Sequence, residues 1–177
     1  MRMQKRDSEG PTLVGQQALA RELGVTDRRV RQMVEGHILP ESRDGLYDLE
    51  FCLDRYGLYR EGTDRDWDRF FDQCEDLARE STDLLRAALK PDGTLEMVRA
   101  ASTAIQVSYR DMRFMTAVRS KSDSERKLFF GVWDREETEA MSLLLSRTCT
   151  LMGEQDGRSG REVMEGLRRE VREAENA

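Results

Sequence analysis

A single register restricts this chain more than any other feature. Ala20 stands four residues before Gly24, and Val25-Thr26-Asp27-Arg28-Arg29 follows at once. Leu19, Ala20 and Leu23 recur at helical spacing, which predicts a helix over residues 16–23. Gly24 ends it, because glycine takes the left-handed conformation at a helix end without steric cost. Thr26 then caps a second helix through its hydroxyl, with Asp27 favourable in the first turn. Val30, Met33 and Val34 line the inner side of that helix, and Gly36 closes it. Where two such helices cross closely, nothing larger than alanine fits, and Ala20 occupies that place.

Beyond "HILP", the pair Asp44-Gly45 sits at the centre of residues 41–48. Both central residues of a type I′ turn need positive φ, so Asp-Gly predicts a small β-hairpin, flanked by Leu39 and Tyr47. Leu49, Cys52, Leu53 and Tyr56 then return to helical spacing. Helix, turn, helix, hairpin and helix make a winged helix-turn-helix over residues 12–60, preceded by a flexible arm over 1–11.

The second helix of that motif directs Thr26, Arg28, Arg29, Arg31 and Gln32 outward, and Arg43 lies at the hairpin tip. Arginine and glutamine pair bidentately with base edges in the major groove, while guanidiniums and helix N-termini suit phosphates. Arg28 and Arg29 are the candidates for groove contact, with Thr26 and Gln32 assisting. Arg31 is placed on phosphate, and Arg43 on the backbone or minor groove as a wing. The plain alternative is a solvated charged face. The charge distribution bears on the choice. Residues 1–60 carry ten basic and ten acidic side chains, so the entire excess of −6 falls on residues 61–177. An acidic chain binds DNA only through a locally basic face.

After a polar joint, "EGTDRD", the pattern becomes helical throughout. Trp67, Phe70, Phe71, Cys74, Leu77, Ala78, Leu84, Leu85 and Ala88 mark one long amphipathic helix. Pro91-Asp92-Gly93 is a turn, and Thr94 caps a second long helix reaching about Arg119. The two form a helical hairpin. Ser122-x-x-Glu125 is a capping box for further helix, whose apolar positions run through Leu144 and stop at Gly153. "EQDGRSGRE" reads as a flexible linker, and Ser159-x-x-Glu162 caps a charged terminal helix. The expected fold is mainly α: the winged domain, a helical oligomerisation domain over 61–153, and a charged linker with a terminal partner-docking helix over 154–177. Trp67, Phe70, Phe71, Tyr109, Met112, Phe114 and Met115 read either as the core of a monomeric bundle or as a subunit interface. The terminal helix, thin in apolar residues, is either a frayed tail or a docking helix for a larger partner.

"LVGQQALARELGVTDRRVRQMVEGHILP" followed by "GLYDLEFCLDRYGLYRE" resembles the DNA-binding domain of phage terminase small subunits, with Tyr47-Asp48 and Tyr56 at the matching places. The resemblance covers residues 12–60 and is shared more loosely with the MerR and excisionase families. It implies recognition of double-stranded viral DNA for genome packaging, assembly into a homo-oligomer such as a ring, and delivery of DNA to the terminase large subunit. The rival reading is a dimeric transcriptional regulator.

Other chemistry is not indicated. No Gly-x-x-x-x-Gly-Lys-Ser/Thr loop is present, and nothing places a nucleophile, base and acid together. His37 is the only histidine, and the three cysteines are dispersed, so neither a metal site nor a cofactor is expected. An odd number of unpaired cysteines fits reduced thiols, and Met1 to Gly10 lacks an apolar signal core. With a mean hydropathy of −0.73 and no long apolar run, no membrane partner is expected. The host-cell cytoplasm is the expected compartment, and no enzyme activity is read.

Overall fold

The computed structural model describes residues 11–175, so the predicted arm lies outside the described residues except for Pro11. The fold is mainly helical. In chain order the elements are β1 (Leu13–Gly15), α1 (Gln16–Glu22), α2 (Asp27–Glu35), β2 (Leu46–Asp48), α3 (Leu49–Glu61), α4 (Asp64–Ala88), α5 (Leu95–Arg119), α6 (Asp123–Asp156) and α7 (Gly160–Glu175). They divide into two compact units. One holds residues up to 70 together with 114–120, and the other holds 71–113 and everything from 121 onward.

In the first unit, Leu19, Ala20, Leu23, Val30, Met33, Leu39, Tyr47 and Cys52 form one buried core. Gly24 has φ +67°, which turns the chain between α1 and α2. The Thr26 hydroxyl accepts from the Arg29 N–H at 3.2 Å and so caps α2. Gly36 closes α2, as expected, without taking the left-handed conformation itself. Its φ is −86°, and His37 takes that conformation at φ 56°.

The wing also differs from a simple hairpin. Asp44 and Gly45 have φ 53° and 76°, and Arg43 and Leu46 exchange both backbone hydrogen bonds at 2.9 Å, as a type I′ turn requires. The pairing stops at that bridge. Pro40 has no N–H to give, and the Leu39 N–H is already donated to the Met33 carbonyl, so residues 39–41 cannot continue a ladder. β2 pairs antiparallel with β1 instead, placing Val14 opposite Tyr47. Asp48 ends the strand and caps α3 by accepting from the Phe51 N–H at 3.1 Å.

The polar joint turns out to be a helix cap. The Thr63 hydroxyl donates to Asp66 at 2.7 Å and accepts from the Asp66 N–H at 3.3 Å. The hydroxyl donation, with a second from the Thr63 N–H at 3.0 Å, holds the Asp66 carboxyl below its usual range.

In the second unit, Ala88, Val98, Ala101, Ile105, Ala140 and Leu144 form the core. The Arg147 guanidinium donates to the carbonyls of Lys90, Pro91 and Gly93 at 3.0, 2.9 and 3.1 Å, stitching the α4–α5 turn to α6. α6 is one helix of 34 residues, and it does not stop at Gly153. It runs to Asp156 and ends on Gly157 at φ +69°. Gly153 is buried because the chain doubles back on it: a Cβ there would stand 2.4 Å from the Arg158 carbonyl oxygen. "EQDGRSGRE" is therefore the last turn of α6, a tight reversal and the start of α7 rather than a linker. Ser159 and Glu162 form the expected capping box, with the Ser159 N–H donating to the carboxylate at 2.7 Å. No helix among the described residues is long and apolar enough to cross a membrane.

Candidate nucleic-acid interface

The first turn of α2 is built from two opposed requirements. Val30 and Met33 are 0% and 1% exposed, which fixes the inner side of the helix. At 3.6 residues per turn, Arg28, Arg31 and Gln32 then fall on the opposite side, with Arg29 at its shoulder. Thr26, Arg28, Arg29, Arg31 and Gln32 are all exposed, and so is Arg43 on the wing turn. Among the described residues, none of these four guanidiniums forms an ion pair with a carboxylate. Asp27, Glu35, Glu41 and Asp44 lie in the same stretch, so residues 26–45 carry four basic and four acidic side chains, and the basic character is confined to the first turn of α2.

Cation supply is not the only chemistry at this turn. A helix leaves its first N–H groups without intrahelical acceptors, and they carry a partial positive charge. Thr26 satisfies the Arg29 N–H, and the Gln16 side chain donates to the Asp27 carbonyl at 3.1 Å, tying α1 to the start of α2. The reading turn is thus held from both sides while its long side chains stay in solvent. Such a surface can take phosphate oxygens and base-edge acceptors.

Beside Phe114, the six other aromatic and methionine positions weighed as an oligomer surface separate in the structure. Phe70 is buried, and Trp67 is half-buried. They join Phe114 in the first unit, with ring centroids 6.0, 5.8 and 5.5 Å apart for the three pairs. At their centre lies Arg55 of α3, 6% exposed, its guanidinium carbon 4.5 Å from the Phe70 and Phe114 centroids and 4.9 Å from Phe51. This is cation–π packing inside the unit. Phe51, four residues before Arg55 on one helix side, was the available sequence signal for it. Met112 and Met115 are half-buried. In the second unit the Tyr109 hydroxyl donates to Glu136 at 3.4 Å, and burial together with that carboxylate pushes its pKa up to about 12. Only Phe71, 48% exposed, is an open apolar side chain of the six.

Outside those positions, Leu13 on β1 is 55% exposed, and three open leucines stand on α6. Leu128, Leu143 and Leu145 are 65%, 50% and 48% exposed. Three consecutive leucines, 143–145, cannot share one side of a helix, and that signal stood in the sequence. The three cysteines are buried thiols outside any disulfide, and no three His, Cys, Asp or Glu side chains among the described residues converge as a metal site. Comparison with family models, with curated proteins and with solved structures found no match.

Proposed function

We propose that this chain is a DNA-binding protein that works in several copies, and that it serves viral genome packaging as a terminase small subunit in the host-cell cytoplasm. The observation that carries the DNA reading is the set of four exposed guanidiniums, Arg28, Arg29, Arg31 and Arg43, without carboxylate partners among the described residues. They stand on the capped start of α2 and on the wing turn. In this reading Arg28 and Arg29 enter the major groove, Thr26 and Gln32 support them, and Arg31 and Arg43 hold phosphates.

Multiplicity follows from arithmetic. About three phosphate contacts per copy give a salt slope near −3, which is weak binding at physiological salt. Several heads on one duplex raise avidity without new contacts. The helical region supplies self-association, and α7, with its exposed Arg168 and Arg169, is the segment offered to the terminase large subunit. The packaging assignment rests on the resemblance of residues 12–60.

Native mass measurement with and without a duplex tests the reading. Assemblies larger than a pair that bind duplex support packaging. A pair on a near-palindromic site supports transcriptional regulation instead, and absence of duplex binding removes the DNA reading.

A further inference from the structure

Along α6 lies a row of side chains that complements itself when reversed. At 3.6 residues per turn, Leu128, Val132, Arg135, Glu136, Glu139 and Leu143 occupy one side of the helix. Leu128 and Leu143 are 65% and 50% exposed, and Arg135, Glu136 and Glu139 are exposed as well. The row is separate from the core side, where Ala140 and Leu144 are buried. Among the described residues Arg135 makes no ion pair.

We propose that this row is where a second copy of the chain docks, with two α6 helices antiparallel about a two-fold axis between residues 135 and 136. In that register Leu128 faces Leu143 of the second copy, and Arg135 faces Glu136 of the second copy. Val132 meets the methylene stem of Glu139 from the second copy. Each contact occurs twice, as an isologous interface requires. Two apolar pairs flank two opposite-charge pairs.

The charge order selects this occupant. With the helices parallel and in register, Arg135 would face Arg135 and Glu136 would face Glu136, which is repulsive. Running the same sequence the other way gives Arg135 and Glu136 each its opposite, and sets Val132 rather than a like charge against Glu139. The inference rests on the self-association proposed above and sharpens it: the building block is a pair, so any larger assembly holds an even number of copies.

Charge reversal in the full chain tests it, read by sedimentation over a concentration series, with circular dichroism to confirm folding. Arg135→Glu and Glu136→Arg are each expected to weaken self-association by about 30-fold or more. Mixing the two variants in equal amounts restores it, because each then carries the charges that the other lacks. Wild-type association that survives both reversals, or folded variants that fail to associate on mixing, overturns the α6 pairing and leaves self-association standing. An odd-numbered assembly also overturns the pairing. A wild-type chain that stays monomeric throughout overturns both.

Discussion

The two units use their apolar residues in opposite ways. The winged unit closes its core over Leu19, Val30, Met33 and Cys52, each at most 1% exposed, and leaves its arginines in solvent. The helical unit has a lean core in which alanines hold three of the six places, and it leaves Leu128, Leu143 and Leu145 outside. The winged unit also leaves Leu13, Leu46 and Leu53 55%, 40% and 40% exposed. The contrast therefore lies in its enclosed core of large side chains and its exposed α2 guanidiniums, not in an absence of apolar surface. The helical unit meets another protein surface through its outer leucines.

Stability measurements can break that contrast. Leu19→Ala in the winged unit is expected to lose about 2–5 kcal/mol in urea denaturation, since the side chain is wholly enclosed and leaves a cavity. Arg55→Ala, which empties the space between three aromatic rings, is expected to lose about 2–4 kcal/mol. Leu143→Ala, measured where the chain is monomeric, is expected to change stability by less than about 0.5 kcal/mol. A loss at Leu143 comparable to that at Leu19 would mean that the outer leucines are structural, and the contrast would fail.

A pH titration sharpens the helical side. The Tyr109 pKa lies near 10 in the unfolded chain and about 12 in the fold, so the fold holds the phenol proton more tightly. The stability this supplies is complete below pH 10 and is lost as pH rises through 12. Tyr109→Phe should flatten the wild-type decline across that window. An unchanged decline would mean that burial and Glu136 do not raise the Tyr109 pKa in the fold.

Legibility from sequence follows the same division. Gly24, Thr26 and Asp44-Gly45 act on residues one to three places away, so the turn, the cap and the type I′ geometry are readable directly. The β1–β2 pairing is not, because it depends on Pro40 and the Leu39 N–H denying β2 its neighbouring partner. The Arg55 cluster draws rings from residues 51, 70 and 114, a separation no local pattern reports. Gly153 misleads for a related reason: it serves a close approach by the returning chain, whereas the helix stop belongs to Gly157. Of the candidate site, exposure of the α2 arginines was legible from Val30 and Met33, whereas the division of the aromatics between core and surface was not.

The DNA reading depends on solvent-facing guanidiniums of α2 engaging a nucleic-acid duplex. The direct measurement is fluorescence anisotropy of a labelled duplex across a salt series, comparing wild type with Arg28→Ala/Arg29→Ala. Both side chains are exposed, so the variant should keep its helical circular dichroism. The account predicts binding weaker by about 10-fold or more, with a salt slope little changed because Arg31 and Arg43 keep the phosphates. Equal affinity in the folded variant at every salt concentration would contradict it.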